Sequence, residues 1–300
     1  MNNSLKATLL CCSVSLLVTG CGGGGGGSSA VVKRSFTSFS AIPPNTIVDI
    51  EGQSVESSYV ANSTSVTSIT DLGTDSTAKA TLTYDSNGNI SKLSIATDNG
   101  TVSWDSSSDS FSYSAPTLEV LSANESNYGV AIVAEDMGWD YQTLGSWVTG
   151  MGDINSAGRI GSISVGSRTD GSAVPTTGSA TFVGITSGVY IDSAGTAFFV
   201  AGNTSINADF SARSLNFTTF NNNTVNGNTG ATGVNSDLNL SGTLTYAAGS
   251  NNFSGSVNGT GLTGSASGYF YGPSAEEAGG TFALTGSGVE NYTGAFGSKQ

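Results

Sequence analysis

Alternation limits this chain more than any other feature. In L-N-L-S-G-T-L-T-Y, residues Leu238, Leu240, Gly242, Leu244 and Tyr246 fall on one side of an extended backbone. In S-A-T-F-V-G-I-T-S-G-V-Y, Phe182, Gly184, Gly188 and Tyr190 do the same. Neighbouring strand residues point to opposite faces, so a period of two marks half-buried strands, and hardly any window carries the 3.6-residue period of a helix. The runs T-A-F-F-V, S-I-N-A-D-F, S-L-N-F-T-T-F, N-F-S-G-S-V, G-Y-F-Y-G and G-T-F-A-L-T-G bring the strands after Gly178 to about eight, at the short regular spacing of an up-and-down barrel. Glycines set into the apolar faces suit sharp curvature and a narrow interior. A membrane barrel needs strands of roughly 9–11 residues with an apolar outer band. Several runs here are shorter and both faces are rich in Ser, Thr and Asn, so the expectation is a soluble eight-stranded antiparallel barrel packed with its own aromatics.

The preceding segment also reads as β structure. T-L-T-Y (Thr81 to Tyr84) and I-S-K-L-S-I (Ile90 to Ile95) flank D-S-N-G-N, and its Asn87-Gly88 is the strongest short hairpin signal. Asp98 to Gly100 turns the chain into T-V-S-W, and S-F-S-Y-S follows from Ser110. This half predicts an antiparallel meander or sandwich. In M-G-W-D-Y-Q-T-L-G-S-W-V, Trp139 and Tyr141 fall on one face of an expected strand, with Trp147 close behind. A binding platform and a core strand both fit the residues, and the core strand is preferred because a buried aromatic contributes so much area. A-V-P-T-T-G, Ala173 to Gly178, puts a proline among small residues and marks a boundary. The expected division is 1–20 signal peptide, 21–40 tether, 41–172 first β domain and 173–300 barrel.

Composition removes several function classes. Nine Lys and Arg against 22 Asp and Glu give a net charge of -13, which argues against a nucleic-acid partner because phosphates are neutralised by basic residues. The sequence holds no histidine, so Ser-His-Asp or Cys-His activation, an H-E-x-x-H zinc helix and His-ligated haem are all excluded. Only 10% of residues are charged, well below the roughly 25% of ordinary soluble domains. The 37% hydrophobic content, with ten Tyr and 13 Phe, still suffices for a core.

The first thirty residues carry an address. Lys6 precedes the apolar run Ala7 to Val18, too short to span a bilayer and read as a secretory signal. V-T-G-C, Val18 to Cys21, resembles a bacterial lipobox, in which the cysteine is lipidated and becomes the new N-terminus. Cys11 and Cys12 fall within the removed segment, leaving Cys21 as the lone cysteine of the mature chain, and acylation by palmitate-type chains explains it better than a disulfide. Two or more acyl chains anchor stably. Gly22 to Gly27 with Ser28 and Ser29 forms a flexible spacer of on the order of 15 Å. The absence of aspartate after the cysteine implies an outer-membrane destination.

Other motifs are set aside. G-T-G-L-T-G, Gly259 to Gly264, spells G-x-G-x-x-G within a β run with no helix behind it. Asp85, Asn87 and Asn89 have calcium-loop spacing, but the glycine comes early and Ala96 stands where a bidentate Glu is needed. Glu276 with Glu277, and Glu135 with Asp136, are neighbours that a strand would point to opposite faces, unlike a glycosidase pair. They read as solvated turn charges. No metal site, cofactor or catalytic residue is expected.

Over its second half the sequence resembles the lipoproteins related to transferrin-binding protein B, including single-lobed haemoglobin- and haem-acquisition relatives. V-P-T-T-G-S-A-T-F-V-G-I-T-S-G-V-Y, Val174 to Tyr190, is similar to the family's opening barrel strand. G-N-T-S-I-N-A-D-F-S-A-R-S-L-N-F, Gly202 to Phe217, is similar to the strand pair around an Asp-Phe. G-Y-F-Y-G-P-S-A-E-E-A-G-G-T-F, Gly268 to Phe282, resembles the Phe-Tyr-Gly-Pro, acidic, Gly-Gly block. G-A-F-G-S-K-Q, Gly294 to Gln300, resembles the closing strand, and Y-Q-T-L-G-S-W, Tyr141 to Trp147, the end of the preceding handle. The resemblance implies one lobe, a β-rich handle followed by an eight-stranded barrel, on a Gram-negative surface. It implies a binding protein rather than an enzyme: a monomer, anchored by lipid, that takes a host or environmental iron- or haem-carrying protein and presents it to an outer-membrane transporter. None of the family's ligand-contacting loops matches here residue by residue. An adhesive or structural surface lipoprotein with no role in iron uptake is the alternative.

Overall fold

The computed structural model describes residues 31–300, as two antiparallel sheets joined through one buried seam. No helix among them is long and apolar enough to cross a membrane. The first sheet holds β1 (Val32–Ser35), β2 (Thr46–Ala61), β3 (Val66–Asp75), β4 (Lys79–Tyr84), β5 (Ile90–Thr97), β6 (Gly100–Asp105), β7 (Ser110–Ser114), β8 (Thr117–Leu121), β9 (Asn127–Ile132), β10 (Gln142–Thr149) and β11 (Ala157–Gly166). Its order is β6-β5-β4-β2-β11-β10-β9-β8-β7, with β1 and β3 also on β2.

The sandwich expected for this half is a single sheet folded over itself. β2 pairs with β4 through Ile47 to Glu51 and with β11 through Gly52 to Val60, so it belongs to both wings. The changeover is at Gly52, where a Cβ would lie 2.0 Å from the Ser164 carbonyl oxygen, a contact only glycine permits. The wings face each other across an apolar core that includes Leu82, Leu93, Trp104, Val120, Trp147 and Ile163. Trp104 on β6 reaches across it, donating from Nε1 to the Asn127 carbonyl at 3.3 Å. The one parallel pairing is β1 on β2. The Asn87-Gly88 turn joins β4 to β5 as expected, Gly88 adopting φ +83° while Asp85 accepts from the Asn87 and Asn89 amides.

The second sheet holds β12 (Ser179–Ile191), β13 (Ala197–Asp209), β14 (Ser214–Asn226), β15 (Thr232–Val234), β16 (Ser241–Thr245), β17 (Asn252–Gly259), β18 (Leu262–Tyr271), β19 (Glu277–Thr285) and β20 (Asn291–Lys299). Its order, β13-β12-β20-β19-β18-β17-β16-β14, closes through β13 with β14 into an eight-stranded barrel, and β15 extends β14. Two details of the sequence reading are corrected. T-A-F-F-V and S-I-N-A-D-F are one strand, β13, interrupted only by an irregularity between Ala201 and Asn203, and the eighth strand is β20. The strands are also not uniformly short, since β12, β13 and β14 have 13 residues each, while β16 and β17 have five and eight. What distinguishes this barrel from a membrane barrel is the apolar face, which points inward. Phe182, Phe217, Phe253, Phe270, Phe282 and Phe296 are all at most 1% exposed within the lumen. The outward positions of β13 and β14, such as Asn207, Asn216 and Thr218, are open to solvent.

Candidate functional site

The two sheets meet along a seam crossed by several polar pairings, although Gln142 Oε1 is buried there without a partner. Glu277, at the start of β19, is fully buried. Its two carboxylate oxygens accept from the backbone amides of Asp140 at 2.7 Å and Tyr141 at 3.1 Å. Burial raises the Glu277 pKa, and the backbone amides of Asp140, Tyr141 and Gln142 and the charge of Lys299 oppose that rise. Gln142 donates from Nε2 to the Ser298 and Ala278 carbonyls at 2.7 and 3.2 Å. Gln53 donates to Ser267 and to Thr281 Oγ1, and Ser164 shares a 3.1 Å hydrogen bond with Tyr271. Gly279 makes room for this docking, because a Cβ there would sit 2.0 Å from Gln142 Oε1. The expectation that Glu276 and Glu277 are both solvated turn charges therefore fails for Glu277. Glu276 fits better, accepting from the Ser274 amide within the turn between β18 and β19. Glu135 and Asp136 are exposed, as expected.

Trp139 and Trp147 are buried in the core of the first sheet, which agrees with the core reading over the binding platform. Trp139 and Tyr141 nevertheless precede β10 rather than alternating along it. Trp139 packs against Gly297 of β20, where a Cβ would come within 2.8 Å of its ring. It is a seam residue. G-T-G-L-T-G is the hairpin between β17 and β18, with Gly261 at φ +74° in the turn. Cys21, the one site residue named from the sequence, lies outside the described residues.

At the far end of β2 the seam opens into a cleft of about 200 Å³. Tyr59, Val66, Val148, Ile160, Val189 and Ile191 form its apolar floor, drawn from both sheets. Its rim is four loops: β2–β3, β10–β11, β12–β13 and β14–β15. Val66 N donates to the Gly195 carbonyl at 2.8 Å, Asn228 Nδ2 to the Thr64 carbonyl at 3.0 Å, and Asn155 N to the Ala61 carbonyl at 2.8 Å. Gly195 has φ +85° and no room for a Cβ, which would lie 2.2 Å from the Val66 carbonyl oxygen, so only glycine permits this approach of the two loops. Ile154 stands 56% exposed on the rim. Burial pushes the Tyr59 hydroxyl up to about 12, so it stays protonated, donating to the Thr149 carbonyl at 2.9 Å.

Chemically the cleft offers apolar area, Asn, Ser and Thr hydrogen-bonding groups and the carboxylate of Asp153, with no Lys, Arg or Cys in its lining. Such a set offers apolar contact and hydrogen-bonding groups at its rim. Sequence reading missed the cleft because its parts are loops from Asn62 to Asn228 that look individually like ordinary turns.

The described residues thus form an all-β lobe, a folded open sheet docked on a filled eight-stranded barrel, with an apolar cleft at one end. Residues 174–300 match the family model described as the C-lobe and N-lobe beta barrels of Tf-binding protein B. That segment is a barrel of the transferrin-binding protein B family, as the resemblance over the same residues implies. The Tyr141 to Trp147 resemblance lies before the matched residues. No curated protein matches the chain. Similar solved structures include a mutant transferrin binding protein B from Haemophilus parasuis Hp5, at 14% identity and TM-score 0.45, over 80% of this chain and 60% of that one. Isotype 1 transferrin binding protein B from serogroup B Neisseria meningitidis is matched at 14% identity and TM-score 0.41, over 75% of this chain and 52% of that one. The N-lobe of lactoferrin binding protein B of Moraxella bovis is matched at 16% identity and TM-score 0.33, over 53% of this chain and 75% of that one. The chain thus spans between half and two thirds of the length of the two transferrin-binding proteins.

Proposed function

We propose that this chain is a surface lipoprotein of a Gram-negative outer membrane, acylated at Cys21, that captures an iron- or haem-carrying host protein through the distal cleft and its loops. It acts as a monomer, by binding rather than by turnover, and hands its ligand to an outer-membrane transporter. The proposed division is a tether over 21–40, whose end already carries β1 and the buried Phe39 of the first sheet, a handle over 41–172 and a barrel over 173–300. The family of the barrel, whose description names a transferrin-binding protein, supports an iron-carrying partner.

One observation carries the reading. β2 begins beside β1, next to the tether, and ends at the cleft. Fifteen residue steps from Thr46 to Ala61, at about 3.3 Å each, amount to roughly 50 Å of strand between the two ends. A ligand seated at the cleft is therefore held off the anchoring surface by the length of the molecule.

The test immobilises the mature chain and measures its binding to haemoglobin, transferrin and lactoferrin in their iron-loaded forms. Binding of one of them, weakened tenfold or more by Ile154→Asp at the exposed rim, is the expected result, since a central apolar contact contributes more than about 1 kcal/mol. No binding to any of them, with attachment of the protein to host cells or matrix instead, would establish the adhesive alternative. Cys21→Ser should free the protein from intact cells, read by its loss from the fraction cleaved by external protease.

A further inference from the structure

Of the nine basic residues in the sequence, Lys6 lies outside the described residues. Four of the remaining eight, Lys33, Arg34, Lys79 and Arg168, line one cleft of about 520 Å³ at the tether end of β2, and its lining contains two carboxylates, Asp49 and Glu51. In a chain of net charge -13 this is a concentration of positive charge at one place.

The pairing inside the cleft leaves charge over. Asp49 serves two lysines at once, with Lys33 Nζ at 2.7 Å and Lys79 Nζ at 3.8 Å from the same oxygen. Arg34 is exposed and forms no ion pair within 4 Å among the described residues. Arg168 is fixed in place: its Nη2 donates to the Gly52 and Ser76 carbonyls at 2.8 and 3.2 Å, and its guanidinium carbon stands 3.8 Å from the Tyr269 ring centroid. Its Nε is buried and has no acceptor.

The position of the cleft supplies the occupant. Lys33 and Arg34 belong to β1, all four residues of which are exposed, and Val31 and Val32 beside them are each 49% exposed. Cys21 stands eleven residues before Val32, an interval whose covalent reach is at most about 40 Å. The cations and the two valines are thus the first described part of the molecule that a lipid-anchored tether would bring to a bilayer.

We propose that this cleft seats the tether end on a membrane surface carrying anionic lipid phosphates, with Lys33, Arg34 and Lys79 meeting the phosphates and Val31 and Val32 the apolar boundary beneath them. The acid-rich remainder of the chain does not prevent this, because charges more than about 8 Å apart are largely screened at physiological salt. The proximity argument rests on acylation at Cys21; the charge argument does not. Seated this way, the lobe presents the distal cleft away from the bilayer.

The test uses the mature chain from residue 21 carrying Cys21→Ser, so that no acyl chain contributes. Co-sedimentation is measured with vesicles of phosphatidylcholine alone and with added phosphatidylglycerol. Binding to the anionic vesicles only, weakened by salt, is expected. Lys33→Gln with Arg34→Gln should weaken it tenfold or more, following from on the order of 1 kcal/mol per basic residue near such a surface. If that double variant loses its circular dichroism spectrum, Arg34→Gln alone, at an unpaired exposed position, should give about a fivefold loss. Equal binding to both compositions, no binding, or unchanged affinity in the folded variant would overturn the proposal. Displacement by inorganic phosphate at constant ionic strength would also overturn it, by assigning the cleft to a free anion. Palmitate labelling of the wild-type chain separates the two readings: no label at Cys21 with anionic-vesicle binding intact sinks the anchor alone.

Discussion

The two sheets bury their apolar faces by different means. The barrel closes on itself, every one of its eight strands has two neighbours, and its lumen is filled by its own phenylalanines. The first sheet stays open, with β6 and β7 at the ends of its order, and it buries its inner face by folding about β2. Its core is largely aliphatic around Trp104, Trp139 and Trp147, and it takes in Ala295 and Ile185 from the outer face of the barrel. A closed sheet carries its core with it, while an open one needs a wall supplied from elsewhere. The outer faces of β20 and of the second half of β12 supply that wall, so β20 and β12 from Ser187 to Ile191 are covered on both sides, while Val183 on β12 stays 57% exposed.

This contrast can be broken at three places. The largest effect is expected from Phe270→Ala, because Phe270 lies within 6.1 Å, centroid to centroid, of Phe182, Phe210, Tyr246 and Phe253. Its removal should cost about 3–5 kcal/mol in urea unfolding. A loss under ~1 kcal/mol would mean that the lumen is not packed as one core. Next is Gly279→Ala, which drives a methyl group onto Gln142 across the seam. A cost of about 1–3 kcal/mol is expected, and calorimetry should show the melt dividing into two transitions as each sheet loses the other. A single unshifted transition would show that the open sheet does not depend on its borrowed wall.

The smallest effect sharpens the comparison by pH. Glu277 is raised above its ordinary value of 4.5 by burial. The folded protein therefore holds that proton when the unfolded chain has released it, and stability falls as pH rises from about 4.5 through the raised folded value. Glu277→Gln removes the titration. The stability of the wild type relative to this variant should be greatest below about pH 4.5 and should shrink as pH rises, read from urea midpoints across that range. A difference independent of pH would place the buried carboxylate outside the seam's energetics.

Much of the fold was legible because half-buried strands alternate. β14 and β16 bury one face and wet the other, and their periodicity shows it. β20 escaped that test because both of its faces are buried: Tyr292 and Phe296 lie in the barrel core, while Ala295 and Gly297 meet the first sheet. Only its likeness to a family's closing strand marked it. β13 was divided in two because Ala201-Gly202 interrupts the apolar run while the strand continues through a local irregularity. Glu277 could not be assigned from its neighbours, since the amides that hold it are 136 and 137 residues away in sequence. The distal cleft was hidden for the same reason. The Cys21 expectation is of the opposite kind, resting on four adjacent residues that lie outside the described part of the molecule.

The length of β2 has a mechanical side. It is laddered by β11 on one side and β3 on the other, and its first residues run parallel to β1, where the tether enters. A ligand pulled at the cleft end against an anchor at the other end would stretch the molecule along this strand. Tension in that direction loads the ladder hydrogen bonds in shear, many at once, instead of peeling them apart one by one. Under the proposed function, with a ligand at the cleft and an anchor before β1, the lobe would resist traction along β2 and yield more readily to force applied across it.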